Sequence, residues 1–189
     1  MIKKIETQED KDRRARKLKI IVSVIMAALI GLSSLGYAIM SKSDSSSTNV
    51  VNYAGLKFVQ SNDFWTTSIN GKVFYFNYLP EEVKNITISG NYSLENYYQK
   101  TVYIVNINQA ASSLLYALDG ISLRTQEACL DENSCINKDL PIKNCSVDNV
   151  FVFSESNTTS VLKQNNCVFI SGNFFEGVDR FLYRILNII

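Results

Sequence analysis

Residues 20–40, IIVSVIMAALIGLSSLGYAIM, carry no charge at all. As a helix with a rise of 1.5 Å per residue, such a run is about 31 Å long, matching a hydrocarbon core of ~30 Å. The expectation is therefore a transmembrane helix over residues 20–40. Its flanks orient it. Residues 1–19 hold eight Lys and Arg against four Asp and Glu, and Arg13, Arg14, Arg16, Lys17 and Lys19 lie close to the apolar run. Residues 41–189 hold eleven Lys and Arg against fourteen Asp and Glu. By the positive-inside bias, residues 1–19 form a cytoplasmic tail and the C-terminal part lies outside the cell membrane. A cleaved signal peptide, with Gly36 and Ala38 as small residues before the cut, is the competing reading. A signal core usually runs 7–15 residues, and this run is longer, which favours an uncleaved single-pass anchor.

Within the span, Ser23, Ala27, Gly31, Ser34 and Ala38 fall on one helical face. Small residues on one face let two helix backbones approach closely, so the span is a candidate for homo-oligomer formation or for pairing with a membrane-complex partner.

Residues 41–52, SKSDSSSTNVVN, hold five serines and read as a stalk. Residues 53–189 are long enough for one core. Asn70-Gly71 is a strong hairpin signal between FWTTSI and KVFYFNY, because a type I′ turn needs positive φ at both central residues. Further strand candidates are residues 85–89 (NITIS), 101–107 (TVYIVNI), 121–125, 150–153 (VFVF) and 167–171 (CVFIS). Asn108 can cap a helix bearing Ala111, Leu114, Leu115 and Leu118, with Gly120 ending it. Asn173 and Glu176 form a capping-box variant before a last helix with the stripe Phe174, Val178, Phe181, Leu182, Ile185 and Leu186. The fold class expected is α+β: one mixed extracytoplasmic domain with a hairpin-led sheet, one central helix and one C-terminal helix.

All four cysteines, Cys129, Cys135, Cys145 and Cys167, lie in the outside portion. An even count there indicates disulfides, expected as Cys129–Cys135 and Cys145–Cys167 among three possible connectivities. A four-thiolate zinc site is disfavoured, since no CxxC-like knuckle occurs. The chain has no histidine. That removes Ser-His-Asp and Cys-His catalysis and His-ligated zinc hydrolysis. No GxSxG, GxGxxG or P-loop is present either. Neither a catalytic set, a cofactor nor a metal site is expected, and no nucleic-acid partner.

Other features weigh towards ordinary structure. The acidic segment 130–134 (LDENS) offers oxygen ligands but lacks EF-hand spacing, so it reads as a solvated turn. Asp179, Arg180 and Arg184 read as an exposed charge cluster on the last helix. Ten Tyr, ten Phe and one Trp fall mostly on strand or helix positions where packing explains them. Four sequons, at Asn157, Asn144, Asn91 and Asn85, are glycosylation candidates, with Asn157 the best placed in a loop.

The basic anchor, the segment NGKVFYFNYLPEEVKNI, Leu140-Pro141-Ile142-Lys143-Asn144-Cys145 and the ending CVFISG…VDRFLYRILNI together resemble uncharacterised single-pass archaeal envelope proteins. The resemblance implies the topology and no activity. The function expected is a membrane-anchored extracytoplasmic binding or structural module. The alternatives are a carboxylate-dependent cell-surface enzyme and an accessory subunit of a membrane complex.

Overall fold

The computed structural model describes residues 16, 17, 19–26, 29, 49–133 and 135–189. It divides into the units Met1–Ser47 and Thr48–Ile189. In the first unit the described residues are helical and their side chains exposed. The expectation of a transmembrane helix is corrected here: among the described residues, no helix is long and apolar enough to cross a membrane. A span needs about 20 consecutive apolar helical residues, and the longest helix among the described residues, Phe174–Ile185, has 12. Of the small-residue face, Ser23 is helical and exposed, while Ala27, Gly31, Ser34 and Ala38 lie outside the described residues.

The second unit is α+β, but the single hairpin-led sheet is corrected to two sheets. The first is an antiparallel meander of β1 (Val50–Tyr53), β2 (Leu56–Ser61), β3 (Phe64–Ile69) and β4 (Lys72–Phe76). The β3–β4 turn is the one the sequence announces, with φ of 51° at Asn70 and 81° at Gly71. A short helix, α1 (Pro80–Val83), follows.

The second sheet contains β5 (Thr87–Ser89), β6 (Thr101–Val105), β7 (Arg124–Glu127), β8 (Asn149–Ser154), β9 (Ser160–Gln164) and β10 (Cys167–Ser171), in the order β5-β9-β10-β8-β6-β7. Strands β7, β6, β8 and β10 run parallel, and β9 is antiparallel to β10. Helix α2 (Ala111–Leu118) connects β6 to β7, and α3 (Phe174–Ile185) follows β10. The strand expected at 121–125 lies three residues later as β7. Ile121 and Ser122 are instead held by the end of α2, donating to the Leu118 carbonyl.

Alternation along the parallel strands creates two cores. Val102, Ile104, Phe151, Phe153, Val168 and Ile170 face the main one, with α2, α3 and the meander. Tyr103, Val105, Val150, Val152 and Cys167 face a smaller one, completed by Ala128, Leu130 and Cys145 from the cysteine segment.

Helix α3 lies between the two sheets. Phe181 meets Phe151 of β8 edge-on at 5.0 Å, while Tyr183 stacks on Phe76 of β4 at 4.2 Å. Its burial on both sides explains why an amphipathic reading of this helix is incomplete. The expected capping box forms only in part. Asn173 Oδ1 accepts from the Phe175 and Glu176 N–H groups, but Thr159 intervenes on the return side, accepting from Asn173 N–H and donating to Glu176.

Candidate functional site

The site follows from how two neighbouring strands are connected. From the carboxyl end of β6 the chain passes to α2, in the main core, whereas from β7 it enters the cysteine segment on the opposite face. Diverging connections leave a crevice outside the carboxyl ends of parallel strands, the usual ligand position in open parallel sheets. Here it is a cavity of about 530 Å³. Its volume lies within the range of small-molecule sites, ~300–1,000 Å³.

The walls are apolar: Val105 and Ile107 after β6, Ala128 and Leu130 after β7, Val152 of β8, and Ile136 and Leu140 of the cysteine segment. Ile136 is 97% exposed although it lines the cavity, and Ile107 is 50% exposed. Large apolar side chains thus stand in solvent at the mouth. The polar members are Asn106, Asn137, Glu127 and Asp131. Asn106, in the left-handed region with φ of 60°, donates from Nδ2 to the Phe153 carbonyl at 2.9 Å and ties the exit of β6 to β8. Asn137 Oδ1 accepts from Asp139 N–H, and Asp131 Oδ1 accepts from Asn133 N–H at 2.9 Å.

Two disulfides hold the covering segment. Cys129–Cys135, with Cα atoms 5.5 Å apart, closes the loop at the cavity rim. Cys145–Cys167, at 5.0 Å, fastens the far end of the segment to β10. Both expected pairings are present. Backbone bonds add to them: Cys129 N–H donates to Pro141, and Lys143 N–H to Cys129. Lys143 also sits 4.1 Å above the Tyr103 ring and 3.7 Å from Asp148, and together with Arg124 it lowers the Tyr103 phenol from its ordinary value. This cation–π contact latches the segment to the sheet.

The remaining candidates are dispersed. The four sequon asparagines, Asn85, Asn91, Asn144 and Asn157, are all exposed, as glycosylation requires. Asn157 borders a separate, more open depression with Glu155, Ser156, Gly172 and Phe174. Among the described residues, no group of three or more His, Cys, Asp or Glu side chains is placed to hold a metal ion.

Asp179 overturns its expectation outright. The exposed cluster proposed for it does not form; its carboxylate is fully buried between α3 and the chain leaving β4. Oδ2 accepts the N–H groups of Asn77 and Tyr78 at 2.7 and 2.8 Å. Burial nevertheless dominates those bonds and raises its pKa to about 7. This shifted carboxyl is enclosed and does not line the cavity, so it does not make the cleft of paired carboxylates that acid–base catalysis needs. In the sequence, the only trace of the cavity was Ile136, an apolar residue isolated in a polar loop. Nothing there distinguished Asn106 or Glu127.

No family model, curated protein or solved structure matches the chain.

Proposed function

We propose that the unit Thr48–Ile189 is an extracytoplasmic ligand-binding module whose site is the cavity beneath the cysteine segment. The observation that carries this reading is the cavity itself, a preformed space at the carboxyl ends of β6 and β7 with apolar walls and four polar groups at its edge. The two disulfides fit an oxidising compartment and explain how an irregular segment keeps the shape of a binding site.

Titration of the full chain with n-octanol, a neutral apolar probe, tests this reading by amide NMR. Shifts centred on Ala128, Leu130, Ile136 and Val152, weakened in Ile136→Ser, support it. Shifts scattered over the surface, or none, refute it. Ile136 is so exposed that its replacement does not disturb the fold.

A further inference from the structure

A belt of cations lies at the end of the second sheet away from the cavity, at the amino ends of its parallel strands. Lys100 immediately precedes β6, and Lys163 stands opposite Val168, the second residue of β10. Arg180 and Arg184 lie one turn apart on the C-terminal half of α3, and so on one face. Tyr92 joins the two groups. Lys163 Nζ lies 5.8 Å from the Tyr92 ring centroid, and the same ring meets Phe181 of α3 edge-on at 5.6 Å. The charge of Arg184 acts on the Tyr92 hydroxyl.

Like charges are held together here without counter-charge. Burial, and then repulsion from Lys100, lowers the Lys163 pKa; burial, and then Arg184, does the same to Arg180. Among the described residues, none of the four forms an ion pair, although residues 41–189 hold fourteen Asp and Glu against eleven Lys and Arg. Asp179, next to Arg180 in the chain, is turned to the Asn77 and Tyr78 N–H groups instead. Lys163 Nζ and Arg180 Nε each donate to a backbone carbonyl, of Asn91 and Ile86, and Arg180 Nη1 is buried without an acceptor. Self-repulsion of this kind destabilises a compact state. A partner of opposite charge accounts for the arrangement; folding does not.

We propose that this belt binds an acidic polysaccharide, whose sulfate or carboxylate groups meet the Lys100–Lys163 pair and the Arg180–Arg184 pair. Guanidinium and ammonium groups give such oxyanions charge-assisted hydrogen bonds. One small anion neutralises one pair only, whereas a chain with repeated charges reaches both. A single-stranded nucleic acid fits less well, because such strands are held by bases stacking on successive aromatic faces. The ring between the two pairs, Tyr92, is only 8% exposed. Tyr98, two residues before Lys100, is 59% exposed and offers one face, enough for a sugar ring but not for a run of bases.

Four probes decide it on the full-length, oxidised protein: a dextran sulfate oligomer, neutral dextran of the same length, sodium sulfate and a single-stranded oligothymidylate. Calorimetry should show dextran sulfate binding tightest and neutral dextran not at all. With four contacts at ~0.7 counterion each, its affinity should fall roughly fiftyfold from ~50 to ~200 mM salt. Amide NMR should place the shifts at Lys100, Lys163 and Arg184. Lys100→Gln and Arg184→Gln change exposed side chains and spare the fold. Each should weaken binding roughly fivefold to tenfold at the lower salt. Lys57→Gln, at an exposed cation of the meander, should leave binding unchanged. Equal weakening by Lys57→Gln would mean diffuse attraction over the whole surface and overturn the belt. Sodium sulfate binding as tightly at equal sulfate concentration, or oligothymidylate binding more tightly than dextran sulfate, would overturn the ligand class. Absence of dextran sulfate binding would overturn both.

Discussion

The side chain of Asp179 accepts the backbone N–H of Tyr78 at 2.8 Å across 101 residues of sequence, joining the last helix to the end of the meander. The same oxygen accepts from Asn77, while Asp179 Oδ1 and Asn77 Nδ2 are buried without hydrogen-bond partners. Tyr183, one turn further along α3, donates its hydroxyl to the Tyr78 carbonyl at 2.6 Å. This corner is a polar junction inside an aromatic core, and its charge state governs how well the helix is held.

That junction makes stability depend on pH. Burial lifts the Asp179 pKa from 3.8 to about 7, with Glu82 adding to the effect. The folded state therefore holds a proton that the unfolded chain releases between those values. Stability from this group is fully present below the unfolded pKa and is lost as pH rises from about 4 to 7. The loss amounts to roughly 3–5 kcal/mol, at 1.36 kcal/mol per pKa unit. Asp179→Asn, which stays neutral, should flatten that part of the profile. Urea unfolding of both proteins from pH 4 to 8 measures it, and parallel profiles would show that Asp179 is ionised throughout.

The same residue shows where sequence reading stops. The stripe Phe174, Val178, Phe181, Leu182 and Ile185 was legible because one face of α3 meets the six-stranded sheet. That the opposite face also meets a sheet depends on the placement of Phe58 and Phe76, far away in the chain, and periodicity within the helix carries no information about it. Strands β4, β6, β8 and β10 were legible from β-branched and aromatic runs, and the disulfides from compartment and parity. Strands β2 and β9 were not, because LKFVQS and SVLKQ mix polar and apolar residues without strict alternation and draw their stability from neighbours. The cavity arises from two connections leaving adjacent strands on opposite faces, a property of topology that no local motif encodes.

Close packing of α3 gives a second prediction. A Cβ placed on Gly177 would lie 2.5 Å from Ile170 Cγ2 on β10, far inside van der Waals contact. The absent side chain is what lets this helix approach the sheet. Gly177→Ala gains helix propensity, about 1 kcal/mol, but overpacking a rigid core typically costs ~1–3 kcal/mol. Net destabilisation is expected, as a lowered denaturation midpoint. Combining it with Ile170→Leu, which lacks the contacted Cγ2 methyl, should recover part of the loss. A neutral Gly177→Ala would mean the helix shifts freely.

Lys72 offers a third. Its ammonium on β4 donates to the Ala117 carbonyl at 2.8 Å and also to the Asp119 carbonyl, at the C-terminus of α2, where helix carbonyls lack internal partners. Lys72→Met keeps the apolar stem and removes the donors. The expected cost is about 1 kcal/mol, from lost hydrogen bonds and lost charge–dipole attraction. Amide exchange should quicken in α2 more than in the strands of the meander. Equal exchange in both would place the effect elsewhere.

The two disulfides should separate cleanly by function. Cys145–Cys167 spans 22 residues and joins the cysteine segment to the interior strand β10. Cys129–Cys135 spans only six and lies at the cavity rim. In the chain-entropy model the longer loop contributes about 3 kcal/mol to stability and the shorter about 2. The double variant Cys145→Ala/Cys167→Ala should therefore lower the unfolding free energy more. Cys129→Ser/Cys135→Ser should cost less stability but more n-octanol affinity. Without its closure, the loop carrying Leu130 and Ile136 no longer holds one geometry, and the ligand must order it on binding. Calorimetry on the two variants, each compared with its own urea midpoint, tests the distinction. If affinity instead tracks stability in both, the rim disulfide is a fold staple and the cavity wall does not depend on it.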